Sequence, residues 1–257
     1  MRIAILSDIH GNTLALDAVL ADMAALGGVD QMWVLGDLVA LGPDPVGVLE
    51  RLTALPNVSC TYGNTERYVL DGRRPWPQIE DALADPALMP RLLEITRNFG
   101  WTEGALATAG WLDWLAVLPL ELEMVLPDGA IVLGVHASPG EFDGHGLRPG
   151  LEPAQLDAMT NGCMADLVCV GHTHWAMQLV HNGVHLVNLG SVSNPMQEDW
   201  RASYVILEAN AHGHELTHRR VAYDRAAVIA MFEQVRHPAR DYLIPFFQGW
   251  NKPSWYK

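Results

Sequence analysis

The stretch Ile3-Ala4-Ile5-Leu6-Ser7-Asp8-Ile9-His10-Gly11-Asn12 begins with four apolar residues and ends in ionisable and amide side chains. A short apolar run bounded by polar and turn residues predicts a strand buried on both faces. Asp8 and His10 stand two apart, so in an extended segment they share a side. Beyond them Leu16, Val19, Leu20, Met23 and Leu26 recur at helical spacing, with Asn12 as the cap and Gly27-Gly28 as the stop. The same order returns twice. Met32-Trp33-Val34-Leu35 runs into Gly36-Asp37, and a Pro-marked loop leads to a helix carrying Val46, Leu49 and Leu52. A third strand over 58–62 runs into Gly63-Asn64. Strands alternating with helices predict βαβ units, whose ligand sites lie beyond the carboxyl ends of the strands.

Further along, the strand signal vanishes between about 71 and 119. There 101–118 reads as a helix, with Leu106, Ala109, Leu112 and Leu115 near one face and Pro119 as its terminator. This region is expected to form a helical insertion or cap. The second half returns to strands at 130–135, 167–170, 184–187, 204–207 and 216–221, followed by a helix over 224–235. The expectation is one domain over 1–257, with the cap and an aromatic-rich tail at about 237–257. That tail is expected to pack on the body or on a second copy in a homo-oligomer.

Strand ends deliver further ligand-type residues. After Asp8 and His10 come Asp37, Asn64, His136, and the pair His172 and His174 within Gly171-His172-Thr173-His174. Each alone is ordinary: an Asp at a strand end often caps a helix, and an Asn after Gly often turns the chain. Together, at five successive strand ends, they predict a metal site. The donors are imidazole nitrogen and oxygen with no sulfur, which suits Mn, Fe, Zn, Co or Ni better than Mg or Ca.

These motifs resemble those of the calcineurin-like metallophosphoesterases: D-x-H at Asp8-Ile9-His10, G-D at Gly36-Asp37, G-N at Gly63-Asn64, the single His136, and G-H-T-H at 171–174. Gly190-Ser191, residues 201–204 and Trp101-Thr102-Glu103 are similar to a bacterial phosphodiesterase or diadenosine-tetraphosphatase-related branch. The resemblance implies an α/β fold, a four-layer αββα sandwich of two mixed sheets flanked by helices. It also implies two divalent transition-metal ions, manganese foremost. Asp8, His10 and His174 would hold one ion, Asn64, His136 and His172 the other, and Asp37 would bridge them. In such centres, cations about 3.5 Å apart activate a hydroxide and clamp the phosphate. Asp37, Asn64 and His136 are thus expected to serve catalysis as well as metal binding.

One position departs from the family pattern. Many members carry His after Gly-Asn, associated with protonating the leaving group, and this chain has Thr65. Thr is no comparable acid at neutral pH. Thr65 is expected to touch substrate, as is Arg148, and His145 is a candidate replacement proton donor. The reaction expected is hydrolysis of phosphodiesters or nucleotide-type phosphoanhydrides. The alternatives are a phosphomonoester or phosphoprotein phosphatase, and a non-catalytic scaffold for protein partners. The remaining histidines, including His212-Gly213-His214 in an apparent hairpin and His237, read as exposed.

Composition sets the outer bounds. The chain has 257 residues and 49% hydrophobic content, enough for a sizeable core without disulfides. Sixteen Lys+Arg against 30 Asp+Glu leave a net charge of −14, which excludes stable nucleic-acid wrapping and polybasic membrane binding. A small phosphoester or nucleotide is not excluded, because bound cations reverse the local field. Three cysteines without CxxC spacing, no leader and no apolar span together predict a cytoplasmic protein.

Overall fold

The structure, a computed structural model, describes residues 1–249. Its first half runs β1 (Arg2–Leu6), α1 (Thr13–Ala25), β2 (Gln31–Leu35), α2 (Pro45–Ala54), β3 (Val58–Thr61) and α3 (Asn64–Asp71). Next come α4 (Ile79–Ala84), a 3-10 turn at Pro86–Leu88, α5 (Met89–Ala109) and α6 (Leu112–Ala116). The second half runs β4 (Glu121–Val125), β5 (Ile131–Val135), α7 (Pro153–Thr160), β6 (Leu167–Val170), β7 (Met177–His181) and β8 (Val184–Asn188). It closes with β9 (Ala202–Asn210), β10 (Gly213–Val221), α8 (Arg225–Gln234) and α9 (Arg240–Phe247).

The strands form two mixed five-stranded sheets, ordered β10-β9-β1-β2-β3 and β4-β5-β6-β8-β7. β1, β2 and β3 are parallel, as are β5, β6 and β8, while the outer strands of each sheet are antiparallel except β3. The period-2 alternation of β1 sends Ile3 and Ile5 to one face and Ala4 and Leu6 to the other. Ile3, Ile5, Trp33 and Leu35 meet Val132, Leu167, Cys169 and Val187 of the second sheet. Ala4, Leu6 and Val34 pack with Leu16 and Val19 of α1, Leu49 of α2, and Phe99 and Leu106 of α5. On the far side, Val135, Val168 and Leu186 pack with Leu156 and Met159 of α7. The order of layers is therefore helix, sheet, sheet, helix. Gly134 lets the sheets approach, since a Cβ there would lie 2.8 Å from Leu35 and 3.0 Å from Trp33.

Asn12 caps α1 as expected, its side chain accepting from the Ala15 N–H. The helix expected over 101–118 is two helices. Gly110, at φ 80°, closes α5 in the left-handed conformation, and α6 starts afresh two residues later. β4 and β7 carried no clear strand signal because both are edge strands with alternating exposure, lacking the continuous apolar run of a central strand. In the aromatic-rich tail, α9 packs on α8 through Leu243 and Phe247 against Phe232. The rest of the tail, 250–257, lies outside the described residues. His237 was expected to be exposed and is fully buried, its ring 4.3 Å from that of Trp101. Among the described residues no helix is long and apolar enough to cross a membrane.

Candidate metal centre

Five of the ligand-type residues sit where the chain leaves a parallel strand and turns sharply. Asp8 (φ 58°) and His10 (φ 49°) follow β1, Asp37 (φ 52°) follows β2, and His172 (φ 67°) and His174 (φ 58°) follow β6. Left-handed backbone at non-glycine residues costs of order 1–3 kcal/mol each and persists only where neighbours enforce it. The neighbours here are the loops themselves. The N–H of His10 donates to Asp37 O at 2.9 Å and that of Gly11 to Leu38 O at 2.9 Å. Asp8 O accepts from Ser193 N at 3.1 Å and from Ser191 Oγ at 2.9 Å.

The side chains converge in two groups. In the first, His174 Nε2 lies 3.1 Å from Asp8 Oδ1 and 3.1 Å from His10 Nε2. In the second, Asn64 Oδ1 lies 3.1 Å from His136 Nε2 and 2.9 Å from His172 Nδ1. Asp37 stands between them, with Oδ2 3.6 Å from His10 Nε2 and Oδ1 3.4 Å from His136 Nε2. Asp8, His10, Asp37, His136 and His174 are all buried.

Backbone carbonyls set the tautomer of each ring. His136 Nδ1 donates to Leu35 O (2.7 Å), His174 Nδ1 to Asn194 O (2.8 Å), His10 Nδ1 to Val39 O (3.4 Å), and His172 Nε2 to Gly144 O (3.0 Å). In the neutral form of each ring the nitrogen facing inward is then a lone pair. Asp8 Oδ2 accepts from the backbone N–H of His172 at 3.0 Å, whereas the buried Oδ1 has no hydrogen-bond partner among the described residues. Lone pairs brought this close repel unless positive charge lies among them. The residues present therefore fit divalent cations.

The charges agree with that reading. Burial disfavours charge on His136, but Asp37 and Asp8 outweigh it and raise the ring to about 10. For His10, burial wins and lowers the ring to about 4. Burial also opposes ionisation of Asp37 and Asp8, yet His136 holds Asp37, and His174 holds Asp8, below the ordinary carboxylate value. Two buried carboxylates demand cations, and protonated imidazole is the chain's own substitute.

Two residues of α3 secure this geometry. The buried Glu66 carboxylate accepts backbone N–H bonds from Asp37 (2.9 Å), Leu38 (2.8 Å), Val39 (3.1 Å) and Gly63 (2.7 Å). Its burial and the negative charge of Asp37 raise it to about 7, against the pull of those donors. Thr65 gives Asp37 Oδ1 two bonds, from its N–H at 2.9 Å and its hydroxyl at 3.0 Å. Gly63 is required beside them, because a Cβ would run into Asp37.

A cleft of about 210 Å³ opens over the cluster, and His10, Asp37, Asn64, Thr65, His172 and His174 contribute to its lining. Trp76, Arg91, Ile95, Asn98 and Phe99 of the 71–119 region line the same cleft, with Tyr242 of α9. His145 does not line this cleft. It is exposed on a separate depression with Ser138, Gln155 and Met159. Arg148 also lies outside the cleft lining, with a guanidinium nitrogen 3.4 Å from Pro149 O. No motif in the sequence marks Glu66 as a brace of the loop after β2, nor the carbonyl of Asn194, nor the cleft residues Tyr68, Trp76, Arg91 and Asn98. A Glu three residues after Gly63 was the one legible signal. The others follow no motif.

The family profile of the calcineurin-like phosphoesterase superfamily domain matches residues 1–212. An uncharacterized protein of Methanocaldococcus jannaschii is 30% identical over 86% of this chain and 88% of its own length. The symmetrical bis(5′-nucleosyl)-tetraphosphatase of Pectobacterium carotovorum is 32% identical over 34% of this chain and 33% of its own. Among solved structures, a metallophosphoesterase of Sphaerobacter thermophilus superposes with a TM-score of 0.72 at 28% identity, covering 98% of this chain and 100% of that one. A hypothetical protein of Pyrococcus horikoshii shares the fold with a TM-score of 0.79 at 21% identity, covering 98% and 99%. With its ligand-type residues gathered at one edge of a two-sheet sandwich, the chain belongs to the calcineurin-like phosphoesterase superfamily and is a phosphoester hydrolase.

Proposed function

We propose that the chain hydrolyses phosphodiester or nucleotide-type phosphoanhydride bonds at a dinuclear centre. The observation that supports this most is the pair of lone-pair clusters sharing Asp37, which turns one oxygen to each. Asp8, His10 and His174 would hold one ion, and Asn64, His136 and His172 the other. Manganese is the foremost candidate, and iron, zinc, cobalt and nickel suit the same nitrogen and oxygen donors. Bound there, such ions supply an acidified water and neutralise charge on the phosphate oxygens.

The rest falls to the chain. Four carbonyl-anchored rings and the Glu66-braced loop keep the donors oriented before substrate arrives, so little reorganisation accompanies the reaction. Thr65 spends its hydroxyl on Asp37, and a threonine offers no proton to a leaving group at neutral pH. Substrates that leave readily as anions are therefore favoured over unactivated monoesters. The symmetrical bis(5′-nucleosyl)-tetraphosphatases that match part of this chain are named for a phosphoanhydride substrate, which accords with this. Three free cysteines, two of them buried, accord with a reducing cytoplasm.

The test is hydrolysis of bis-p-nitrophenyl phosphate against p-nitrophenyl phosphate by Mn²⁺-loaded protein, with metal content measured in parallel. The expected result is two ions per chain and faster turnover of the diester. Faster monoester turnover would overturn the substrate preference, and a single ion would overturn the dinuclear centre.

A further inference from the structure

The cleft lining supplied by the 71–119 region has a chemistry of its own. Trp76, from the segment after α3, lines the cleft yet remains 53% exposed. The Arg91 guanidinium lies over its ring, 4.9 Å from the centroid. Ile95 and Phe99 continue this wall along α5.

Arg91 stands apart from the arginines near it. Five of the chain's 16 basic residues fall between 67 and 97. Arg73 pairs with Asp71 at 2.6 Å, Arg97 with Glu94 at 2.5 Å, and Arg74 reaches Glu103 at 3.8 Å. Arg67 lies on the ring of Tyr62 at 3.6 Å. Among the described residues Arg91 has no carboxylate partner, and of these five it alone lines the cleft. In a chain of net charge −14, a cation without a carboxylate, stacked on an exposed indole and facing a phosphoester site, suits a flat anionic ligand.

We propose that Trp76 and Arg91 form a nucleotide subsite, the indole stacking on the base and the guanidinium meeting the nucleotide's negative charge. This rests on the phosphoesterase reading of the ligand cluster and narrows its substrates to nucleoside phosphodiesters or anhydrides. A small alkyl phosphodiester would leave the wall untouched.

Isothermal titration of metal-loaded protein with 5′-AMP and with ribose 5-phosphate isolates the base, because the two ligands differ only there. Wild-type protein is expected to bind AMP about tenfold more tightly, within the range of base–aromatic stacking. Trp76→Ala should bring the ratio near one, and Trp76→Phe should restore most of it. Arg91→Gln should weaken both ligands about fivefold, with Arg91→Lys recovering much of the loss. A wild-type ratio near one, or a ratio that survives Trp76→Ala, overturns the base subsite. Unchanged affinities in Arg91→Gln remove Arg91 from it. Bis-p-nitrophenyl phosphate separates this proposal from the reading beneath it. Turnover with no base preference ends the subsite alone, and base preference without turnover in any metal ends the phosphoesterase reading alone.

Discussion

Two Asp–His pairs in this molecule look alike at close range. His174 Nε2 lies 3.1 Å from Asp8 Oδ1 at the carboxyl-end edge of the sandwich, and His214 Nδ1 lies 2.6 Å from Asp128 Oδ2 beside the β9–β10 hairpin. The second pair is the shorter, and its His even belongs to an H-x-H motif, His212-Gly213-His214. Everything around them differs. Asp8 and His174 are buried and left-handed, with Asp37, His10 and His136 close by. Asp128 and His214 are partly exposed, and neither has positive φ. His212 itself is exposed in the turn. At the hairpin, water screens the pair and other solvated ions can replace it. At the strand ends water is excluded, so the same two groups need further positive charge to be stable together. Ligand potential therefore lies in enclosure and convergence, not in the contact distance of one pair.

The largest effect should come from Asp37→Ala, which removes the carboxylate facing both clusters. We expect kcat/KM on bis-p-nitrophenyl phosphate to fall at least about a thousandfold, the scale of a lost metal centre, with metal content falling alongside. Full turnover without Asp37 would put the chemistry somewhere other than this edge. Glu66→Gln tests whether the enclosed region depends on its brace. An amide presents an NH₂ to some of the four backbone donors that a carboxylate accepts, so we expect a loss of about 3 kcal/mol in urea unfolding. Unchanged stability would mean that the loop holds its shape unaided.

The next expectation concerns pH. In metal-free protein His136 is raised from 6.5 to about 10, so the folded state holds that proton more tightly than the unfolded chain does. This stabilisation is complete below about pH 6.5 and is lost as pH rises through about 10. Ions bound among the same lone pairs compete with the proton, so metal affinity should rise over that window and metal-loaded protein should not share the decline. Thermal melts with and without EDTA from pH 6 to 10 check this, and parallel curves would count against it. The smallest effect should come from His214→Ala. Metal content and kcat should be unchanged, and the melting temperature should stay within about 2 °C. Loss of metal there would erase the distinction between the two pairs.

Much of the candidate metal centre was legible in the primary structure because its ligand-type residues follow strands. A βαβ arrangement delivers each strand's carboxyl end to one edge, so Asp8, His10, Asp37, Asn64, His136, His172 and His174 could be named in order of appearance. The bracing role of Glu66 was not legible, since its four donors are backbone groups whose approach no side-chain pattern records. The edge strands β4 and β7 hid for a related reason: with one partner and an exposed face each, they lack the apolar run that marks a buried strand.

By itself, then, the order of residues determined the strand–helix alternation, the succession of ligand-type residues and the threonine at position 65, all of which are local patterns. Tertiary structure alone decided which lone pairs meet, that Thr65 serves Asp37, that His145 lies outside the cleft, and that Trp76 and Arg91 line the same cleft as the cluster. Those facts depend on distance between segments far apart in the chain, from Asp8 to His174 and from Asn64 to His172. Periodicity reports only which face of an element is buried, and the partner that buries it is set by packing.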